Sequence, residues 1–187
     1  MNVFALSDDP REAAQDQCDK HIPKMVVESG QMLSTAHRMS DGVKRSERSS
    51  KGRMISIYEL SDHREGILYK AVHYNHPCTV WTRESDVNYR WHYRHFTALC
   101  DEYTYRYGRI HLTDKRLRNA LSILPLNIPR FGRSTPFPLA MQSNPECMFP
   151  EDPIKSYRLF YQTKQERFKM RWDKGRKKPD WFISKVA

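Results

Sequence analysis

The chain has 187 residues, 39% hydrophobic and 12% aromatic, with a formal net charge of +10. That length suits one domain with a core of its own, the aromatic content excludes a fully disordered chain, and the basic excess points to polyanions. The excess is uneven: residues 155–179 hold ten Lys/Arg against two acids and residues 43–53 hold five against one, so two segments are placed to contact phosphates, with solubilising charge as the alternative.

Asp9-Pro10-Arg11-Glu12 predicts a helix start, with Asp9 as cap, Pro10 in the first turn and Glu12 completing a capping box. That helix is expected to run to about residue 20. Pro23 removes a backbone donor and predicts a kink or break at residues 20–23. A second helical segment follows to about Met39 and ends near Gly42. Residues 40–53, SDGVKRSERSSKGR, read as a mobile basic loop. Met54–Leu60 reads as a strand or a helical turn, and residues 61–76 as irregular.

His76-Pro77 opens a further helix. Val87, Trp91, Phe96, Leu99, Cys100 and Tyr103 recur at helical steps from Ser85, and Gly108 is placed to end that helix. Thr113 caps a short helix to about Leu124. Residues 125–153 hold seven of the eleven prolines, so 125–152 is an extended segment wrapping the core. Asp152-Pro153 starts a last helix over about 153–170, and residues 171–187 form a basic, aromatic tail. The predicted fold is mainly α: a single-domain helical bundle over 1–187 with long Pro-rich and basic loops.

Cys18, Cys78, Cys100 and Cys147 stand far apart with no CxxC. Neither a signal-peptide pattern nor an apolar run of membrane-spanning length is present, so a reduced cytoplasmic chain is expected, in the host cytoplasm for a phage protein. No GxxxxGK[ST], GxGxxG or GxSxG occurs, which excludes the common phosphate loops and the nucleophile elbow. His73-xx-His76 and His92-xx-His95 have zinc-compatible spacing but lack a cysteine pair or an HExxH frame. No metal ligand and no cofactor is assigned.

Residues 18–33, CDKHIPKMVVESGQML, carry the pattern with most chemistry in it. His21, Lys24, Glu28, Gln31, Thr35 and Arg38 fall on one helical stripe. A solvated face is the plain reading, and Lys24 with Glu28 a small i, i+4 surface pair. The mixture of acid, base and hydrogen-bond donors, one per turn, also suits a single ligand. His73, Asn75, His76 and Arg83 flank the next helix start, where an anion such as phosphate can bind or where a side chain merely caps. NYRWHYRHF and EYTYRYGR interleave aromatics with arginines, which suits base stacking and phosphate contact; Tyr89, Arg90, Arg94 and Arg106 are the candidates.

Several features together resemble the phage-type pyrimidine-dimer DNA glycosylase/AP lyase, the endonuclease V family. They are Asp19-Lys20-His21 followed seven residues later by Glu28, a later helix closing from Cys100 to Gly108, and the tail Lys178-Pro179-Asp180-Trp181-Phe182. The chain also looks like a type of phage protein that opens with a short strand, then DP, CDKH and a helix. The family resemblance implies a nucleophilic N-terminal α-amine at the sugar C1′, a Schiff base, and a glutamate assisting β-elimination; Glu28 would fill the glutamate's role. An α-amine titrates near ~8, so a useful fraction is neutral at pH 7. Three departures stand beside it. Residue 2 is Asn2, which leaves Met1 in place, the start is longer by about five residues, and Val27 replaces an arginine beside the glutamate. The nucleophile is therefore the amine of Met1 or Asn2, or Lys24 or Lys20, or absent.

DNA is the expected partner and a base-excision glycosylase/AP lyase the leading expectation. The alternatives are an enzyme acting on a nucleotide or other small phosphorylated ligand, and a non-catalytic DNA-binding factor. No membrane partner is expected, and the sequence leaves the oligomeric state open.

Overall fold

The computed structural model describes residues 1–184. Helices make up 48% of the chain, which makes it mainly α. Among the described residues there are seven α-helices and one two-stranded sheet. No helix among the described residues is long and apolar enough to cross a membrane.

The chain opens with a buried extended segment, residues 2–7. Asp9 caps α1 (Pro10–Gln15), its Oδ1 accepting the N–H of Arg11 at 2.8 Å and of Glu12 at 3.0 Å. The expected capping box is replaced by a relay. The Ser7 hydroxyl donates to Glu12 Oε2 and accepts the Asp9 N–H.

α1 is shorter than expected because other elements satisfy the carbonyls that follow it. Arg106 donates to the carbonyls of Gln15 and Gln17. Trp172 Nε1 donates to that of Asp16 and the Tyr107 hydroxyl to that of Asp19. With those acceptors filled from outside, residues 16–20 need no helical ladder. The break therefore lies just before α2 (His21–Asp41). Pro23 sits in the first turn of α2, where its missing N–H removes no intrahelical bond. No kink has to be invoked.

α2 is the central helix. Its Ile22, Met25, Val26, Met32, Leu33 and Ala36 are buried. They pack against α4 (Pro77–Glu84), α5 (Asp86–Tyr107) and α6 (Leu112–Leu121). Gly30 allows the α2–α6 approach: a Cβ there would lie 2.8 Å from Thr113 Cγ2 and 3.0 Å from Leu117 Cδ1.

Residues 43–48 overturn the mobile-loop expectation, and residues 54–59 take the strand alternative. β1 (Val43–Arg48) pairs antiparallel with β2 (Met54–Glu59), Val43 opposite Glu59 and Arg48 opposite Met54. Every β1 side chain is exposed, so no buried face imprints an apolar–polar alternation on the sequence. α3 (Arg64–Ile67) follows in the segment read as irregular.

The remaining helix starts obey their local chemistry. His76 Nδ1 accepts the Cys78 N–H to cap α4, and Ser85 Oγ accepts the Asn88 N–H to cap α5. Gly108, at φ 66°, closes α5 in the left-handed region. His111, rather than Thr113, caps α6, which stops at Leu121. Residues 125–152 run extended, with one 3₁₀ turn at Pro145–Cys147. Asp152 caps α7 (Pro153–Gln162), and a 3₁₀ turn over Thr163–Glu166 ends it well before residue 170. The tail folds back, burying Trp172 and Phe182. Its residues 185–187 lie outside the described residues.

Candidate functional site

The first turns of α2, the N-terminal segment and the end of α7 enclose a half-open cavity of about 720 Å³. Met1, Asn2, Lys20, His21, Lys24, Glu28, Lys164 and Arg167 line it, with Phe4, Phe160 and Phe168 as apolar wall. Among these lining residues Glu28 is the one carboxylate.

Glu28 gathers three donors. The Met1 amine lies 3.7 Å from its Oε2 and Lys24 Nζ lies 3.5 Å from its Oε1. The Asn2 backbone N–H donates to Oε2 at 3.1 Å. Asn2 explains why the terminus stays there. Its Oδ1 accepts the N–H of Val3 and of Phe4, and its Nδ2 donates to the Ala140 carbonyl. In a chain that carries Met1, Asn2 thus positions the amine rather than reacting. Phe4, at φ 51°, is left-handed, a conformation that costs a bulky residue on the order of 1–3 kcal/mol and tends to cluster at functional sites. The Asn2 bonds and contacts with Phe160, Tyr161 and the stacked His21 hold it.

His21 is buried, and its Nδ1 lies 2.7 Å from the Tyr161 hydroxyl. That hydroxyl also accepts the Cys18 N–H. Burial first, then Lys24, Lys164 and Lys20, pushes His21 down to about 4. At neutral pH it is uncharged, not an acid.

Lys164 is a site residue that the sequence reading passed over within the basic run. It is buried, with its ammonium 3.4 Å from the centroid of the Phe160 ring. Burial, then Arg167, lowers it to about 8. Lys20 lies over Phe168 at 4.5 Å. No spacing rule brings residues 164–168 to residues 20–28; only the end of α7 at Gln162 turns them there.

The other predicted residues lie outside this cavity, and Tyr89, Arg90 and Arg94 line a separate one on α5. Thr35 and Arg38 leave the stripe for the interior. The Thr35 hydroxyl donates to the Val72 carbonyl and accepts its N–H. Arg38 is fully buried and donates to the carbonyls of Tyr58, Glu65, Leu68 and Tyr69 and to the Glu65 carboxylate. It is a structural clamp, not a ligand contact. Burial opposes the charge of Glu65, yet Arg38, the Leu60 N–H and Lys70 hold it down at about 2. Gln31 is half-buried and outside the cavity lining.

Arg106 is likewise buried, on Asp19 and Glu102, and Tyr89 is buried with its hydroxyl donating to the Leu121 carbonyl. Neither can meet DNA. Arg90 and Arg94 are exposed on the outer face of α5. His76 is spent on its cap. Burial, then the Met1 amine and His73, lowers its pKa, with Glu28 opposing. His73 and Asn75 are exposed and Arg83 is half-buried, its Nη1 without a partner among the described residues. None of the four reaches the cavity lining.

Among the described residues no group of three or more His, Cys, Asp or Glu is arranged to hold a metal ion. His92 and His95 are buried, bonded to the Thr82 hydroxyl and the Pro10 carbonyl respectively. Comparison with known protein families, curated proteins and solved structures finds no match for this chain.

Proposed function

We propose that the protein is a DNA-processing enzyme of the glycosylase/AP-lyase type, with the cavity at the start of α2 as its reaction site. The observation that carries this reading is the Met1 amine facing the Glu28 carboxylate at 3.7 Å inside a cation-lined cavity. An amine must shed a proton to attack a carbonyl carbon, and Glu28 stands where that proton can go. The amine adds to the C1′ aldehyde of an abasic sugar and water leaves, forming an imine. Removal of a C2′ proton then expels the 3′ phosphate by β-elimination, with Glu28 as the base. A base still attached would have to leave the stack first, and the phenyl wall of Phe4, Phe160 and Phe168 is an apolar surface for it.

Borohydride trapping on abasic DNA is the test. A covalent adduct that peptide mapping places in the cavity supports the reading. No adduct, together with a Glu28→Gln protein indistinguishable from wild type, rejects it and leaves the non-catalytic DNA-binding factor.

One observation favours a second reading, an enzyme acting on a nucleotide or small phosphorylated ligand. About 720 Å³ is the size of a small-molecule pocket. A thermal-shift panel of nucleotides separates the two: a raised midpoint with a single nucleotide supports the second reading, and none rejects it.

A further inference from the structure

The cavity has two ends of different chemistry. At one, the Met1 amine, the Asn2 N–H and Lys24 all converge on Glu28. At the other, Lys164 and Arg167 come from the end of α7 and Lys20 from the start of α2, beside Phe160 and Phe168. No carboxylate lines this second end. Glu166, which acts electrostatically on Lys164, is exposed on the same turn and is not part of the lining.

Lys164 is the informative group. Its side chain is only 9% exposed, and its ammonium rests on a phenyl ring instead of an acid. Lys155 and Lys174 also lie over rings but are exposed, whereas Arg176 holds Glu102, Arg171 holds Asp173, and Arg158 donates to the Leu6 carbonyl. A covered ammonium beside further cations is unfavourable in the empty cavity, because burial and like charge both oppose it. An anion seated there removes both penalties.

We propose that Lys164, Arg167 and Lys20 form a binding subsite for a phosphate group of the ligand, which leaves the reacting carbon at the Glu28 end. The inference rests on the reading that this cavity is the ligand site, not on the lyase chemistry. The subsite serves equally for a backbone phosphodiester and for the phosphate of a small molecule. A planar guanidinium supplies paired donors to phosphate oxygens and lysines supply point charges.

The subsite has a signature in pH. The groups acting on Lys164 are Arg167 and Lys24, which lower its pKa, and Cys147 and Glu166, which raise it. Lys20, neutral His21 and the Met1 amine also line the cavity. With Lys164 titrating at about 8, its contribution to phosphate affinity is present below that pH and is lost as the ammonium deprotonates above it.

The probe is inorganic phosphate, titrated calorimetrically into the whole protein across pH 7 to 9. Wild type is expected to bind, more weakly above pH 8, and Lys164→Met to lose about tenfold in affinity, the loss of one charge-assisted contact. Lys164→Arg is expected to bind with a smaller fall above pH 8 than wild type, because guanidinium does not titrate there. Absence of phosphate binding, wild-type affinity in Lys164→Met, or an unchanged pH fall in Lys164→Arg overturns the subsite. Should Lys164→Met fail to fold, the Lys164→Arg profile decides alone. Phosphate binding without a trapped abasic-DNA adduct, and with Glu28→Gln indistinguishable from wild type, upholds the subsite and rejects the lyase reading. An adduct whose formation phosphate does not inhibit overturns the subsite and leaves the lyase intact. Competition by an undamaged oligonucleotide assigns the phosphate to a DNA backbone, and competition by a nucleotide alone assigns it to a small ligand.

Discussion

The two halves of α2 carry one polar stripe and meet opposite fates. At the N-terminal half, Lys24 and Glu28 border an open cavity. At the C-terminal half, Thr35 and Arg38 point from the same face and lie under residues 58–72, every donor of Arg38 engaged. The spacing that aligns six polar side chains says nothing about what covers them. A polar residue under a loop becomes a clamp for that loop's carbonyls, whereas one left uncovered stays available to a ligand.

Acid should strain the covered regions most. His37, His92 and His95 are buried with values near 4, 3 and 4, and His21 near 4 on the cavity side, against 6.5 when unfolded. All four are lowered, so the unfolded chain binds more protons. Stability is full above pH 6.5 and is lost as pH falls toward 4, at up to ~1.4 kcal/mol per pH unit for each histidine. Denaturant melts across that window check this, and a flat profile breaks it.

Next in size is the clamp. Arg38→Met should cost about 3–5 kcal/mol, since it leaves carbonyls and the Glu65 carboxylate without their buried partner. A denaturation midpoint close to wild type would erase the distinction between the two halves. Glu28→Gln should do the reverse, lowering the rate of abasic-DNA trapping by about a hundredfold with little change in the thermal midpoint. A large loss of stability with trapping unaffected would make Glu28 structural like Arg38. The smallest effect belongs to Lys24→Met. Its Nζ is well exposed and its pair with Glu28 is loose, so stability should move by less than about 0.5 kcal/mol, read in the same melts.

What was legible followed local chemistry. Asp9-Pro10, His76-Pro77, Ser85 and Asp152-Pro153 announced helix starts and Gly108 a stop, because a cap needs only neighbours within three residues. β1 was not legible, since its exposed strand carries no apolar face. The docking of the tail was not legible because Trp172 and Trp181 find their acceptors on Asp16, at the far end of the chain. Of the site, Glu28, Lys24, His21, Lys20 and Met1 were singled out together. Lys164 and Arg167 sat in a basic run where no neighbour sets them apart.

The amino-acid sequence by itself determined the helical class, most helix starts and the polar stripe of α2, all of which depend on interactions within one or two turns. Tertiary structure alone decided that Arg38 and Arg106 are buried clamps, that Asn2 pins the Met1 amine to Glu28, and that Lys164 faces the same cavity. Those outcomes depend on which distant carbonyl, carboxylate or ring covers each side chain, and burial then sets whether its charge is spent within the fold or kept for a ligand.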